Sequence, residues 1–477
     1  MKVNQIYSLL NDINHQMFGE DAVQVKDLSG IISMGKSVMQ STDNMDLFLG
    51  KLVDRIGKTV IRTLDLELDF PGLYMDSYEF GAVLQKITVN PFDAIQASEY
   101  QVGENGFEPT LLDIHKADIV VTYFENSTAW KFQRTIPGTL FETAFTNEGT
   151  MGQFIDAIIN AMTDSMTLAI NNMSRTAVNN LIAEKILAGH NVINLVDEYN
   201  AAYGLTGDNA LSAAECLVTK EFYRFSSTVI RKYIKYLSQP SVLYNEGNNI
   251  LRATARDNMH IMFLSDLAAG FDAYLLSDSF KDVYELPYYN EVPYWQGNSD
   301  GSTINSFATN SSINIVPSSQ ESVETAGNRY AINQSGIVAV LADRQAVAVG
   351  LNKRRAGSFY NSIDDYSNIS STAMIQWLND TSENCVVICI ADSIATPAIS
   401  LDKSTLTFAS SAADDQTITA TTMPEDATVT WKSSKNSVAT VAAGVVSAAG
   451  AGSCTITAEI TVGGVKYTAT AEVTVGS

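Results

Sequence analysis

Few residues in this 477-residue chain have the types and spacing that catalysis requires. The stretch GNSDG, Gly297 to Gly301, matches the G-x-S-x-G pattern of a nucleophile elbow. An elbow needs a buried strand before the serine and a helix after it. The flanking segments VPYWQ and STINSFATNSS predict loop on both sides, so we interpret the match as chance. We predict no catalytic residue.

Metal-binding patterns are also weak. Four histidines stand far apart, with neither an H-x-x-x-H nor an H-E-x-x-H pair, and we interpret them as surface or capping residues: His15, His115, His190 and His260. Cys385 and Cys389 flank the apolar run CVVIC without the C-x-x-C spacing of a zinc site. Together with the scattered Cys216 and Cys454, they predict buried thiols and a reducing compartment. The sequence predicts no metal and no cofactor.

Two basic clusters raise the question of whether the chain binds nucleic acid. Lys353, Arg354 and Arg355 form a compact patch, and a second group alternates with aromatic residues: Arg224, Arg231, Lys232 and Lys235. Basic residues interleaved with aromatic residues can bind single-stranded nucleic acid, because the bases stack on the aromatic rings. In helical register, however, the aromatics share a stripe with Val229 and Ile230, which predicts a core face. We favour pairing of these cations with acidic neighbours, on this or another subunit, and keep nucleic-acid contact as the weaker alternative.

The formal net charge of −23 argues against a broad nucleic-acid-binding face, which needs clustered Lys and Arg. It favours a soluble particle that repels DNA and anionic membranes. No uncharged apolar run reaches the ~18 residues of a membrane span. The first residues lack the pattern of a signal peptide, and the spacing from Ile6 to Met17 predicts a short amphipathic helix. We therefore expect synthesis in the cytoplasm without export.

The strongest predicted element is a long helix over 150–189. Thr150 and Gln153 have the spacing of a capping box, and Gly189 suits a C-terminal stop. Its apolar stripe has steps of three and four: Phe154, Ile158, Met162, Met166, Ile170, Met173, Ala177 and Leu181. Alternating patterns up to about Ala129 predict long β-hairpins before it. Mixed helix and strand patterns follow to Asp392, and short alternating runs from Ala395 predict a small all-β domain.

This order of elements resembles the Hong Kong 97-type fold of tailed-phage major capsid proteins. Three segments resemble capsid proteins of short-tailed phages of the phi-twenty-nine kind: KLVDRIGKTVIR, FQRTIPGTLFETAF with MGQFIDAIINAM, and GIVAVLADRQAVAV with IQWLNDTSENCVVICIAD. The resemblance implies an α+β fold with an N-terminal arm (1–45) and a shell domain (46–392). Within the shell domain it implies a β-ribbon (about 65–129), a spine helix (150–189), an axial α/β domain (about 192–350) and a return segment (351–392).

The C-terminal region, 396–477, resembles the group 2 bacterial immunoglobulin-like domain. The resemblance rests on the Trp431-x-Ser-Ser pattern, the Val438-Ala-Thr-Val run and the Gly450-Ala-Gly turn before CTITAEI. It implies an all-β sandwich in which Trp431 is the core plug. Ser433 and Ser434 would then be turn residues before the next strand.

The resemblance implies the major capsid protein of a tailed double-stranded DNA phage, without enzymatic activity, located in the virion after assembly in the host cytoplasm. Copies would form hexamers and pentamers of an icosahedral or prolate head that matures from a procapsid. The long helix and ribbon would overlap between neighbours, which would also account for the low charge of that helix.

Other partners are implied as well: a separate scaffolding protein, a portal protein, packaged DNA without sequence-specific contact, and glycans or a host surface at the outward-facing C-terminal domain. No membrane partner is expected. The alternatives are a surface-layer or adhesion protein and a glycan-active enzyme, which would need a carboxylate pair ~5–10 Å apart.

Overall fold

The computed structural model describes residues 3–19, 22–41, 43–52, 70–75, 84–90, 119–124, 127–146, 148–246, 250–275, 289–296, 310–318, 330–361, 363–425, 427–462 and 465–476. These residues group into two compact units. Unit 1 lies within residues 1–174 and 348–378, and unit 2 lies within residues 175–347 and 379–477. Both helices and strands are abundant, which confirms the predicted α+β class.

The helices of the described part, in chain order, are α1 (Val3–Phe18), α2 (Leu28–Met39), α3 (residues 43–52), α4 (Gly138–Ala144), α5 (Glu148–Ala188), α6 (Leu195–Tyr203), α7 (Ala213–Cys216), α8 (Lys220–Leu237) and α9 (Ser265–Leu275). Short 3-10 turns cover Pro71–Leu73, Gly207–Asn209 and Arg256–Asn258.

The strands of the first two thirds of the fold are β1 (Tyr74–Met75), β2 (Leu84–Val89), β3 (Ile119–Phe124), β4 (Ser127–Pro137), β5 (Val192–Asn194), β6 (Met259–Leu264), β7 (Asn290–Val292), β8 (Ile313–Ile315), β9 (Ile332–Gln334), β10 (Ile337–Asp343), β11 (Val347–Asn361), β12 (Tyr366–Asn379) and β13 (Cys385–Cys389). The C-terminal region adds β14 (Ala398–Leu401), β15 (Thr405–Phe408), β16 (Gln416–Thr417), β17 (Ala420–Met423), β18 (Thr430–Ser433), β19 (Ala439–Ala442), β20 (Val445–Ala448), β21 (Gly452–Val462) and β22 (Val465–Val475).

Unit 1 begins with helices that bury one apolar face each. The predicted amphipathic helix near the N-terminus is confirmed as α1, which buries Leu10 and Ile13. The Asn11 amide holds the connection to α2, because its Nδ2 donates to Val25 O at 2.9 Å and its Oδ1 accepts from Val25 N at 2.6 Å. In α3, the Phe48 ring packs against Phe145, 5.6 Å between centroids.

A four-stranded sheet of unit 1 has the order β1-β11-β12-β4. β4 is antiparallel to β12 over its whole length, from Ser127↔Gln376 to Pro137↔Tyr366. β2 and β3 form a separate two-stranded antiparallel ribbon. The predicted β-ribbon of about 65–129 includes both strands of this ribbon, and its segments 65–69, 76–83, 91–118 and 125–126 lie outside the described residues.

The predicted long helix is confirmed as α5, whose 41 residues span about 60 Å. Its C-terminal stop is confirmed, because Gly189 has φ +75°, a conformation that glycine adopts without strain. The predicted capping box is wrong. The helix begins before Thr150, and the Thr150 hydroxyl donates to Ala144 O instead of capping an N-terminus.

The first part of unit 2 is an α/β structure around a sheet of order β5-β13-β10-β6-β7. The three central strands are buried at nearly every position, which explains their continuous apolar sequences. Helix α8 presents Phe222, Ile230 and Ile234 to the same core as this sheet. The predicted core face of α8 is therefore confirmed.

The C-terminal strands, 398–475, form what we call the sandwich. One sheet has the order β15-β22-β21-β18 and another has the order β16-β20-β19. Their shared core includes Phe408, Ile456 and Val473 from the first sheet and Val446 from the second. Trp431 is only partly buried at the margin of this core, so its predicted role as the central plug is wrong.

The serines after Trp431 belong to the end of β18. Ser433 is the last residue of the strand, and its hydroxyl donates to Ala439 O at 2.7 Å. The Ser434 hydroxyl accepts from Thr455 N at 2.9 Å. The order of elements along the described chain, from N-terminal helices through ribbon, long helix and α/β sheet to returning strands, is the order that the Hong Kong 97-type resemblance implies.

Candidate assembly surfaces

The two cysteines that were considered as metal ligands are buried in the core. Cys385 and Cys389 lie in the buried strand β13, as predicted. Removal from water raises the pKa of the Cys385 thiol to about 11 and that of Cys389 to about 12, so both stay neutral near pH 7. The GNSDG stretch, Gly297 to Gly301, lies outside the described residues.

The histidines occupy three different environments. His190 follows α5, with Nδ1 3.0 Å from Ala188 O, which confirms a capping position. His15 is exposed, as predicted, and His115 lies outside the described residues. The surface prediction is wrong for His260, which is buried in β6 because that strand lies inside the sheet and is covered on both faces.

One cation of the basic cluster on α8 pairs with an acid of its own chain. Lys232 Nζ lies 3.7 Å from Glu198 Oε2 and 5.0 Å from the centre of the Tyr233 ring. This contact confirms the predicted acidic neighbour for Lys232. For Lys353, Arg354 and Arg355, the structure gives their place in strand β11 but does not describe the side chains.

One ionic cluster was missed by the sequence argument. Lys185 is fully buried near the end of α5, and its Nζ lies 3.0 Å from Glu246 Oε1. The other oxygen of Glu246 lies 2.7 Å from His190 Nε2. The only signal in the sequence is a lysine inside the apolar run LIAEKILAG, whose partner is 61 residues away. The cluster ties the end of α5 to the loop that carries Glu246.

The low charge of α5 has an explanation inside the chain. Stripe residues Phe154, Met166, Ile170 and Leu181 are buried, and residues 177–187 are buried at every position. The side chain of Met162 is outside the described part. Burial within the chain therefore accounts for the low charge at these positions, without contacts between neighbours.

The ribbon of β2 and β3 exposes an apolar face. Cross-strand register places Ile87 opposite Val121 and Val89 opposite Ile119. These four side chains and that of Tyr123 are exposed, and Ile87 and Tyr123 each keep about three fifths of their surface in water, 62% and 61%. The opposite face mixes polar and apolar residues: Lys86, Thr88 and Thr122 with Val120 and Phe124. We call the five exposed residues the ribbon face.

Unit 1 also has a groove beside strand β4. Its cavity measures about 240 Å³, and its lining is mainly apolar. Strands β4 and β12 provide Phe132, Ile136 and Ile369, whereas helices α4 and α5 provide Leu140, Phe154 and Ile158. Leu140 is more than half exposed at the rim. We call this cavity the unit 1 groove.

Two further apolar patches lie at opposite ends of α8, an 18-residue helix about 27 Å long. Patch 1 is Tyr203, Leu217 and Val218, next to the first turns of α8: the Tyr203 ring contacts Phe225, and Tyr223 donates to Leu217 O. Patch 2 comprises four exposed residues at the other end: Tyr236, Val242, Leu243 and Leu251. Val218 and Leu243 are the most exposed, at 73% and 67%.

The described residues contain neither a membrane-spanning helix nor a group of side chains that could hold a metal ion. Across those residues, no helix is both long and apolar enough to cross a membrane. Within the same part of the chain, no three His, Cys, Asp or Glu side chains are grouped to hold a metal ion.

Comparison with known proteins identifies the class of protein. The family described as Phi29-like phage major capsid protein matches residues 9–389 of the 477. The chain belongs to this family, and the family places it in the capsid of a bacteriophage. The match ends before the sandwich begins, so the immunoglobulin-like assignment of the sandwich remains a prediction.

Two curated relatives agree. The major capsid protein of Streptococcus phage Cp-1 is 24% identical over 29% of this chain, and that of Bacillus phage B103 is 20% identical over 58%. The chain spans 37% and 57% of the lengths of these relatives.

Solved structures with a similar fold include the capsid of Staphylococcus phage Andhra, with 12% identity over 66% of this chain and 82% of that chain at a TM-score of 0.43. Another is a structure of the head fibre and inner core protein of bacteriophage P68, with 12% identity over 68% and 84% at a TM-score of 0.41. The family assignment rests on the sequence match, since these TM-scores are low.

Proposed function

We propose that this chain is the non-enzymatic, shell-forming subunit of a phage head and that its copies pack into hexameric and pentameric capsomers. The observation that carries the proposal beyond family membership is the ribbon face. A two-stranded ribbon is marginally stable in water by itself. Five exposed apolar side chains on one side of it mark an interaction surface.

The occupant of the ribbon face is a second copy of the chain. Each copy carries the ribbon face together with the unit 1 groove, whose apolar lining matches the ribbon face in chemistry. A contact between two different surfaces of identical chains repeats from copy to copy and closes into rings when its rotation permits. This property is what a capsomer requires.

Patches 1 and 2 support a second contact of the same kind. The two patches differ in sequence and lie at opposite ends of α8. This arrangement suits head-to-tail packing of copies of the chain around an axis. Exposed acids, Glu215 and Glu221, flank patch 1, and exposed cations, Lys235 and Arg344, flank patch 2. Opposite charges at the rims would favour the correct register.

The remaining partners follow from this role. A separate scaffolding protein would guide shell closure, and a portal protein would occupy one vertex. Packaged DNA would lie against the shell without sequence-specific contact, which the net charge of −23 supports. An outward-facing immunoglobulin-like sandwich would be the site for glycans or a host surface. A surface-layer or adhesion protein is not favoured, because the family is that of capsid proteins.

The ribbon face is tested by Val121→Glu, with Thr122→Glu as the matched control on the opposite face of the same strand. Both variants add one negative charge, and Thr122 lies opposite Lys86, so the control is accommodated. Burying an unpaired carboxylate in a subunit contact is unfavourable. We expect Val121→Glu to stay folded without forming capsomers and Thr122→Glu to form them, as seen by analytical ultracentrifugation and electron microscopy. Equal assembly of the two variants would contradict the proposal.

A further inference from the structure

The connection between the α/β part of unit 2 (175–347 and 379–392) and the sandwich is held by a buried glutamine. Gln334 in β9 is 2% exposed. Its Oε1 accepts from Ala395 N at 2.5 Å, and its Nε2 lies 3.2 Å from Ser393 O and 2.6 Å from Ser335 O. One side chain therefore binds the backbone of the connection on both sides of Ile394, much as a neighbouring strand would.

Two tyrosine hydroxyls bind the sandwich across the same boundary. Tyr330, whose ring is buried in the α/β part, accepts a hydrogen bond from Thr428 N at 3.2 Å. Tyr467 in β22 donates to Leu187 O at 3.4 Å. Leu187 is in the last turn of α5, where carbonyl groups lack partners within the helix. The Tyr467 hydroxyl satisfies one of them.

All three contacts lie at one end of the sandwich. Thr428 precedes β18, and Tyr467 stands near the start of β22 opposite Ile460. Strand register places Ser433, Phe408 and Gly452 towards the opposite end, where Phe408 and Gly452 both pair with Val475. The loops that begin or end there are 409–415, 434–438 and 449–451. They are therefore farthest from the bound end.

We infer that Tyr330, Gln334 and Tyr467 hold the sandwich on the α/β part in one fixed orientation, so that these three loops face away from it. A tethered domain would instead sample many orientations, because its linker would have only solvent partners. The orientation of the sandwich on the α/β part does not depend on what the loops contact.

The test is hydrogen exchange on the full chain, comparing wild type with Tyr330→Phe, Gln334→Leu, Tyr467→Phe and the triple variant. Each change removes hydrogen-bonding atoms and keeps the approximate size of the side chain. We expect at least about fivefold faster exchange at Ala395 in Gln334→Leu and at Thr428 in Tyr330→Phe, since each amide loses its partner. Amides of β21 and β22 should keep their wild-type rates, which shows that the sandwich is folded.

Tyr274→Phe is the matched control, because it removes a tyrosine hydroxyl of the α/β part that belongs to neither patch and to none of the three contacts, and it should change neither amide. Limited proteolysis gives a second measurement: the triple variant should be cut within 391–398 faster than wild type. The inference is overturned if wild-type Ala395 exchanges at the rate of an unstructured peptide. It is also overturned if the triple variant protects both amides as well as wild type does.

Discussion

At the residue scale, the main feature of the α/β part is a buried cation with one carboxylate partner. Lys185 is completely buried, and the side chain of its partner Glu246 keeps only 18% of its surface in water. Such a pair contributes little net stability when it is complete, because both charges lose their hydration. Removing one partner leaves the other charge without compensation. The pair therefore fixes the position of the Glu246 loop more than it stabilises the fold.

Glu246→Gln should lower the free energy of unfolding by about 3–5 kcal/mol, because it leaves the Lys185 ammonium buried without a counter-charge. Chemical denaturation of the unassembled subunit measures the change. Glu198→Gln is the control, since its pair with Lys232 is largely exposed and should contribute less than about 1 kcal/mol. Similar losses in the two variants would show that the burial of the Lys185 pair has no special cost.

The buried thiols should make the subunit less stable at alkaline pH. Below pH about 9, Cys385 and Cys389 hold their protons in both the folded and the unfolded chain. Above it, the unfolded chain releases protons that the folded chain keeps, so stability falls as pH rises. Between pH 9 and 10 the slope rises towards a limit of about 1.4 kcal/mol per pH unit for each thiol. Denaturation at several pH values should show a smaller slope for Cys389→Ala, and an unchanged slope would contradict the argument.

At the element scale, the sequence predicted what local periodicity determines. The stripe from Phe154 to Leu181 identified α5, and the aromatic stripe of α8 identified a core face. The start of α5 was misplaced, because Thr150 has the capping pattern but its hydroxyl binds Ala144 O. Non-local pairings were beyond reach: β4 pairs with β12 across more than 200 residues, and nothing near Lys185 indicates Glu246.

The candidate surfaces were predicted only in part for the same reason. Alternating patterns up to about Ala129 predicted hairpins, and β2 and β3 form one, but its exposed apolar face was not predicted. Patch 2 could not be predicted, because Leu243 and Leu251 are brought to the same end of α8 by the isolated bridge between Ser241 and Arg252. An exposed leucine alone carries no signal in a sequence.

Head-to-tail packing through patches 1 and 2 predicts complementation between two assembly-defective variants. Both changes are made in the Val121→Glu background, which removes the ribbon contact. There Val218→Asp removes patch 1 and Leu243→Asp removes patch 2, so neither variant should form rings alone. An equal mixture should form dimers, because patch 1 of the second variant can still bind patch 2 of the first. Size-exclusion chromatography with light scattering measures the masses. Val465→Asp, an exposed position in the sandwich, should assemble normally.

A different outcome would indicate a symmetric interface instead of a head-to-tail one. If Leu243→Asp formed dimers alone and the mixture added none, patch 1 would contact patch 1 of a neighbour. The interface would then be symmetric, and the ring model would fail for these patches.

At the scale of the whole molecule, the chain combines a strongly acidic surface with confined apolar surfaces. The net charge of −23 makes copies repel one another and repel DNA. Association must therefore rely on contacts in which apolar area is buried, as in the ribbon face and the patches. In the described part of the chain, most of α5 is buried within one chain, and the exposed apolar surfaces include the ribbon face and the patches at the ends of α8.

Removing the sandwich tests whether it takes part in assembly. A chain ending at Thr396 keeps Ser393 and Ala395, so Gln334 retains its backbone partners, and the hydrogen bonds of Thr428 and Tyr467 described above are lost. The sandwich core draws its buried residues from residues 406–475, so the α/β core stays complete. We expect shells of normal size by negative-stain electron microscopy, with surface projections missing. If the truncated chain were folded by circular dichroism and yet formed no shells, the sandwich would take part in assembly, and its proposed role as a mounted outer domain would be wrong.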